Sequence, residues 1–175
     1  KSTFEALNEY IQIIDNLVEQ AHLPDKIKVV EIGRSVGHFS FALYDYFVNI
    51  LNKQVEYKVW EKDENLVKFY NNIAEKCHFT RLNFELGNFE TADIREAQVV
   101  VAMFSSDEET DVVLAQAIKS QAELVIGAPY KDANLTEQLR SNDKLGDLLK
   151  FDLLLNKQAN VISNGMRTLL LQSHG

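Results

Sequence analysis

The chain has 175 residues, of which 46% are hydrophobic, and carries a formal net charge of -8 at pH 7. This length suits one well-packed domain, and the acidic balance argues against a broad nucleic-acid-binding face, which needs clustered Lys and Arg. The single cysteine, Cys77, excludes an internal disulfide framework, and no apolar run approaches the ~20 residues that a membrane span needs.

The N-terminal part of the chain is predicted to form a helix, a buried strand and a second helix. A capping box at Ser2 and Glu5 precedes a helical pattern that stops before Pro24. A strand over 27–32 follows, because "IKVVEI" is short, β-branched and ends at a glycine. The expected apolar faces are Phe4, Leu7, Ile11, Ile14, Val18 and Ala21 in the first helix and Phe39, Leu43, Phe47 and either Ile50 or Leu51 in the second.

The same alternation continues through the middle of the chain. Two more helices are predicted between strands, over residues 64–77 and 107–120. The second of these helices has acidic residues in its first turn, where the helix dipole favours them. The further strands are predicted over residues 55–61, 80–86, 98–104 and 122–127. Strands alternating with helices predict βαβ units, and therefore a Rossmann-like α/β domain with a mostly parallel sheet and helices on both faces.

The last 25 or so residues admit two interpretations. Asn164-Gly165 between two apolar runs is a good hairpin signal. A helical face is also present, made of Phe151, Leu155, Gln158, Ile162, Met166 and Leu169. The helix is preferred, because the segment resembles a helical part of a known family.

Candidate binding residues lie just after the strands, because ligands of such sheets bind at the carboxyl ends of the strands. The first loop reads Glu31-Ile-Gly33-Arg-Ser35-Val-Gly37, and its glycines let the backbone turn tightly and approach a ligand. The alternative is a plain tight turn. Glu61 ends the second strand, where a carboxylate can accept hydrogen bonds from both ribose hydroxyls, or is simply a solvated residue at a helix start.

The later loops offer weaker candidates. Asn88 or the amide of Phe89 would meet an adenine edge, or belong to an ordinary Gly-Asn turn. After the fourth strand Ser105, Ser106 and Asp107 would face the same pocket, although Ser106 or Asp107 is the better candidate for an N-cap of the next helix. The scattered histidines and the single cysteine give no metal-binding spacing, so we expect no metal.

Together these positions resemble the class I S-adenosylmethionine-dependent methyltransferases, whose first loop is acidic-x-Gly-x-Gly-x-Gly. They are most similar to a methyltransferase-domain family with Ala-Leu-His-Ala-Cys after strand four and Ala-Pro-Cys-Cys after strand five. "VVVAMFSSDEETDVVLAQAIKSQAELVIGAP" matches that family's strand, helix and strand, and "VISNGMRTLLLQSHG" is similar to a later helical segment that precedes its last two strands. The resemblance therefore implies a helical tail and the absence of those two strands from residues 1–175.

The resemblance implies S-adenosylmethionine as the cofactor. Gly33, Ser35 and Gly37 would pass beneath its methionine moiety, with Glu31 opening the loop, and Glu61 would hold the ribose. The adenine would meet Asn88 or Phe89, and the acceptor side would comprise Ser105, Ser106, Asp107 and Tyr130. The departures from the family pattern also fall on these positions: Ser35 replaces a glycine, Asn88 an aspartate, and Tyr130-Lys131 the Cys-Cys pair.

Two functions therefore stand side by side. The first is methyl transfer to an RNA, a protein or a small molecule. The second is a catalytically inactive descendant, a pseudoenzyme that acts as a binding or assembly subunit, with a protein partner at an open sheet edge. For either we expect a single methyltransferase-like domain over 1–175, as a fragment of a longer chain or a shortened domain. The lack of a signal-peptide pattern leads us to expect a cytoplasmic protein with no membrane contact.

Overall fold

The protein is described by a computed structural model over residues 3–33, 37–103, 105–129, 133–141 and 150–174. Helices and strands alternate as the sequence predicts. In chain order they are α1 (Thr3–Ala21), β1 (Lys26–Gly33), α2 (Gly37–Asp45), a π-helical turn (Tyr46–Ile50), β2 (Gln54–Glu61), α3 (Glu64–Lys76), β3 (Leu82–Leu86), β4 (Val99–Met103), α4 (Asp107–Lys119), β5 (Leu124–Ala128), α5 (Ala133–Arg140) and α6 (Asp152–Gln172).

The five strands form one parallel sheet in the order β3-β2-β1-β4-β5. The chain runs outwards from β1 through β2 to β3 and then returns to the other side of β1 for β4. The strand order therefore reverses between β1 and β4, which is where such sheets open a crevice at the carboxyl ends of their strands. The predicted Rossmann-like class is confirmed, and each predicted strand boundary within the described residues lies within two residues of the observed one.

Apolar layers cover both faces of the sheet at its centre, as the continuous apolar, β-branched runs of β1 and β4 require. The layer beneath α1 and α2 includes Val29, Phe39, Leu43, Phe47 and Tyr57. The layer beneath α4 includes Val30, Ile32, Val100, Val113 and Ala117. Neighbouring residues of β1 thus enter opposite layers, and the strand is held rigidly from both sides.

The face predicted for α1 is confirmed at Ile14 and Val18, which are buried, and at Leu7, Ile11 and Ala21, which pack against the core. Ser2 and the side chain of Phe4 lie outside the described residues. In the second helix the inward position is taken by Leu51, whereas Ile50 is 65% exposed. The cause is the π-helical turn, in which the Leu51 amide donates to the Tyr46 carbonyl at 3.0 Å and one extra residue enters the helical repeat.

The tail is a helix, as preferred, and Asn164-Gly165 lies inside it. The predicted apolar face is not the buried one, however. Leu155 is fully buried, but Phe151, Met166 and Leu169 are exposed, and the buried stripe continues through Ala159 and Ser163. Helix α5 was not predicted, because "ANLTEQLR" carries few apolar residues. None of the helices in the described ranges combines the length and apolar content of a membrane-crossing segment.

Candidate functional site

The carboxyl ends of β1, β2 and β4 meet around a cavity of about 10 Å³ at the point where the strand order reverses. This volume is about what one water molecule occupies. The cavity is lined by Ile32, Gly33, Trp60, Lys62, Asn88, Phe89, Ser105 and Glu109. Four of the predicted site residues, Gly33, Asn88, Phe89 and Ser105, are therefore brought together, although the sequence separates them by up to 72 residues.

Gly33 closes β1 at a position that only glycine fits. Its φ is +151°, which side-chain-bearing residues rarely adopt, and a Cβ built there would overlap the Met103 carbonyl and lie 2.7 Å from Ser105 Oγ. Ser105 is fully buried beside it, and its hydroxyl donates to the Ile32 carbonyl at 3.4 Å. The ends of β1 and β4 are thus in direct contact, with no side chain between them.

Glu31, the acidic residue that opens the predicted loop, is buried within β1 and does not reach the cavity lining. Its Oε2 accepts a hydrogen bond of 2.8 Å from the Tyr57 hydroxyl on β2. Burial raises the pKa of Tyr57 well above its ordinary value, and the charge and hydrogen bond of Glu31 raise it further. Glu31 therefore ties β1 to β2 beneath the site.

Replacing Tyr57 by Phe should lower the free energy of unfolding by about 2 kcal/mol, because a buried hydrogen bond to a charged group is lost. The raised pKa also predicts how stability depends on pH. The contribution of Tyr57 is complete below its unfolded pKa of 10.0 and is lost as the pH rises above that value towards the folded pKa. Urea unfolding between pH 7 and 11 measures both effects, and Tyr57→Phe should show the shallower alkaline decline.

Glu61 ends β2 with its side chain only 6% exposed. Its Oε1 accepts hydrogen bonds from the backbone amides of Lys62 at 2.7 Å and Asp63 at 3.1 Å. Its own carbonyl accepts from the Gly87 amide at 2.9 Å, which joins the end of β2 to the loop after β3. The interpretation of Glu61 as a solvated residue is wrong, because Asp63 caps α3 and Glu61 is a fixed, buried carboxylate.

The loop after β3 is the Gly-Asn turn that was one of the two alternatives. Asn88 Oδ1 accepts from the amides of Glu90 at 2.9 Å and Thr91 at 3.1 Å. This side-chain carbonyl is therefore used to fold the loop, and the loop in turn places the Phe89 ring against the cavity. Phe89 also packs partly against the layer beneath α4, which fixes its position.

Ser106 and Asp107, at the start of α4, stabilise the helix and its contact with α6. Ser106, one of the two residues predicted as a possible N-cap, is the N-cap of α4, and it also forms a capping box with Glu109. Asp107 accepts a hydrogen bond of 2.8 Å from Arg167 on α6.

The remaining predicted site residues are Ser35, Tyr130 and Gly37. Ser35 and Tyr130 lie outside the described residues. Gly37 is buried at the start of α2, where a Cβ would overlap the Tyr70 ring, so it serves the packing of α2 on α3.

An ion pair that the sequence did not predict crosses the cavity. Lys62 on the β2 side contacts Glu109 on α4, 47 residues away in the chain. Burial acts to raise the pKa of Glu109, but hydrogen bonds from Lys62 and the Ser106 amide outweigh it and lower the pKa. The capping box was a visible signal for Glu109, whereas nothing in the sequence pairs it with Lys62. In the described parts of the chain, no three His, Cys, Asp or Glu side chains come together as metal ligands.

The fold and the glycine-lined crevice define the class: a Rossmann-like domain of the methyltransferase type. Residues 4–138 match a family described as a methyltransferase domain, and the chain belongs to this family. The resemblance seen in the sequence is thereby confirmed. No curated protein sequence matches the chain significantly.

Several solved structures are similar to this chain at low sequence identity. A variant of MtNAS matches with a TM-score of 0.50 and 14% identity over 69% of this chain and 46% of that one. YcgJ from Bacillus subtilis matches with a TM-score of 0.45 and 14% identity over 61% of this chain and 44% of that one. An RNA methyltransferase from Salinibacter ruber in complex with S-adenosyl-L-homocysteine matches with a TM-score of 0.46 and 19% identity over 65% of this chain and 68% of that one. The chain thus spans less than half the length of YcgJ and of the MtNAS variant.

Proposed function

We propose that this chain binds S-adenosylmethionine at the carboxyl ends of β1, β2 and β4 and takes part in methyl transfer, with residues 1–175 acting as one unit. Family membership supports the proposal. The observation that carries it is Glu61, a buried carboxylate fixed at the end of β2, the strand beside β1, although Glu61 is not among the residues that line the cavity. This is where a ribose would offer both hydroxyls to one carboxylate.

The surrounding residues fit the rest of such a cofactor. Gly33 ends β1 in the lining of the cavity, and Ser35 and Gly37 follow it in the sequence. Phe89, presented by the Asn88 turn, offers a ring face to an adenine. The bound sulfonium supplies a methyl group that an oriented nucleophile can attack, so the task of the protein is mainly positioning.

On the acceptor side, Ser105 and Tyr130 remain the candidates among the residues chosen from the sequence. Ser106 is committed to capping α4, and Asp107 binds Arg167. The acceptor is an RNA, a protein or a small molecule. None of these requires a strongly basic surface if the acceptor is oriented at the strand ends, which is compatible with a net charge of -8.

The test is calorimetric titration of S-adenosylhomocysteine into the wild-type chain and into Glu61→Gln. We expect binding to be weaker in the variant by about tenfold or more, since a hydrogen bond to a charged acceptor is lost. Glu64→Gln is the matched control, because Glu64 lies in the first turn of α3 and pairs with the exposed Lys68. Equal affinities for the wild type and Glu61→Gln would contradict the proposed role of Glu61.

The second candidate is a non-catalytic binding or assembly subunit. One observation favours it: within the described residues β5 pairs only with β4, and a cleft of about 550 Å³ follows its other edge between α1 and α6. Exposed apolar side chains, Ile13 and Leu17 of α1, line this cleft. The test is binding of millimolar S-adenosylhomocysteine by the wild type and by a Lys62→Met variant that lacks the Lys62–Glu109 ion pair. No binding by either protein would support this candidate over the enzyme.

A further inference from the structure

The ion pair between Lys62 and Glu109 lies across the cavity at the strand ends. Lys62 follows Glu61 directly, so its stem starts at the carboxyl end of β2. Its ammonium contacts Glu109 Oε1 on the first turn of α4. Both residues belong to the lining of the cavity, whose volume is about 10 Å³. A nucleoside is many times larger than a water molecule, so part of this lining has to move before a nucleoside can enter.

The Lys62 ammonium also lies over the ring of Phe89, against which the adenine is proposed to stack. Lys62 Nζ lies 5.5 Å from the centroid of Phe89, within the range of a cation–π contact. An aromatic ring has two faces, and Phe89 packs partly against the apolar layer beneath α4. A base that stacks on Phe89 from the cavity would therefore have to take the place of the ammonium.

The two partners differ in how firmly they are held. Glu109 has a side chain that is only 12% exposed, and its Oε2 accepts a hydrogen bond of 3.1 Å from the Ser106 amide in the capping box. Lys62 is 50% exposed and carries a long flexible stem. Separation of the pair therefore means movement of Lys62 into solvent, while Glu109 stays on α4.

We propose that Lys62 is a gate: bound to Glu109 it closes the nucleoside pocket, and a cofactor enters only when its ammonium leaves Glu109 and the face of Phe89. The inference rests on the proposed function for the identity of the ligand. It adds that Lys62 opposes cofactor binding, although it stands next to the residue that holds the ribose. Phe89 becomes the surface on which the base stacks after the exchange.

Two substitutions open the gate from opposite sides. Lys62→Met removes the charge and keeps an unbranched side chain. Glu109→Gln removes the partner charge, and glutamine preserves the capping box of α4. Lys68→Met is the matched control, because Lys68 makes an exposed ion pair with Glu64 on α3. Lys68→Met alters an exposed pair and should leave stability unchanged. Lys62→Met and Glu109→Gln alter a pair in which Glu109 is only 12% exposed, so we expect both to be less stable than the wild type but still folded, which urea unfolding of each variant checks.

The first measurement needs no ligand. Trp60 is the only tryptophan of the chain and lines the cavity, so its fluorescence reports on access to the pocket. We expect acrylamide to quench Trp60 more strongly in Lys62→Met and in Glu109→Gln than in the wild type and in Lys68→Met. Equal quenching in all four proteins would overturn the gate, whatever the protein binds.

The second measurement is the affinity for S-adenosylhomocysteine, which has no net charge near pH 7. We expect Lys62→Met to bind it about fivefold more tightly than the wild type, the value of a partly exposed ion pair. Higher salt should tighten binding to the wild type by screening the pair, and should leave Lys62→Met unchanged. Equal or weaker binding by Lys62→Met overturns the gate. The two experiments can also disagree. If Trp60 is quenched more strongly in Lys62→Met and Glu109→Gln but no variant binds S-adenosylhomocysteine, the proposed function is contradicted, while closure of the cavity by Lys62 is still supported.

Discussion

Replacing Gly33 by Ala is expected to lower the free energy of unfolding by about 4 kcal/mol and to abolish binding of S-adenosylhomocysteine. Two costs add up. A side-chain-bearing residue is strained at φ +151°, and the new Cβ overlaps the Met103 carbonyl and Ser105 Oγ. Relief requires β1 and β4 to move apart at the point where the cofactor pocket is formed. Urea unfolding and calorimetric titration of the same preparation measure both losses.

Gly165→Ala is the matched control. Gly165 lies inside α6, and a Cβ there would meet no atom within 4 Å. Since glycine weakens a helix interior, this change should raise stability by up to about 1 kcal/mol. A loss of less than about 1 kcal/mol in Gly33→Ala would show that the ends of β1 and β4 separate easily, and would contradict a tight contact between these strands at the crevice.

Replacing Arg167 by Ala is expected to cost about 3 kcal/mol and to loosen α6 before the sheet unfolds. The guanidinium is 11% exposed and binds Asp107 at 2.8 Å and Asp111 at 2.6 Å, both on α4. The change leaves Asp107, whose side chain is 14% exposed, without its cation in a poorly solvated place, whereas Asp111 is 56% exposed. The measurement is hydrogen exchange resolved along the chain. We expect amides of α6 to exchange faster in the variant than in the wild type, and amides of β1 and β4 to exchange at the same rate in both.

Arg140→Ala serves as the comparison for Arg167→Ala. Arg140 on α5 also pairs with an aspartate, Asp152, at 2.9 Å, but both side chains are more than half exposed. Its loss should cost no more than about 1 kcal/mol. If the two variants are equally stable, then α6 is held by its apolar stripe alone and the ion pairs with α4 contribute little.

The strands could be predicted because their signal is local. Continuous apolar runs place β1, β4 and β5, as burial on both faces of a parallel sheet requires. Strands β2 and β3 instead alternate apolar and polar residues. The apolar face of α1 was predicted for the same reason. The buried face of α6 was not predicted. Apolar residues such as Phe151 and Leu169 are exposed, whereas the buried face is formed by Leu155, Ala159 and Ser163, two of which are small. A periodic pattern shows that a helix has an apolar face, but not which neighbour covers it.

The site was predictable in part for a similar reason. Candidates could be chosen from their positions alone because a parallel sheet brings the carboxyl ends of its strands to one edge. Gly33 ends β1, Glu61 ends β2 and Phe89 follows β3, and of these Gly33 and Phe89 line the cavity. The contacts that decide how the site works join distant parts of the chain. Lys62 with Glu109 and Arg167 with Asp107 depend on where two surface side chains point, and such directions follow from packing rather than from local sequence.

The π-helical turn after α2 bears on how this chain can change length during evolution. Because the turn holds one residue more than an α-helix needs, loss of one residue within Tyr46–Ile50 would restore the regular repeat and leave both flanking strands in register. The same deletion in the middle of α1 would rotate all following side chains by about 100° and expose the buried face. The segment between β1 and β2 is therefore the place where related chains can differ by one residue while the crevice keeps its shape.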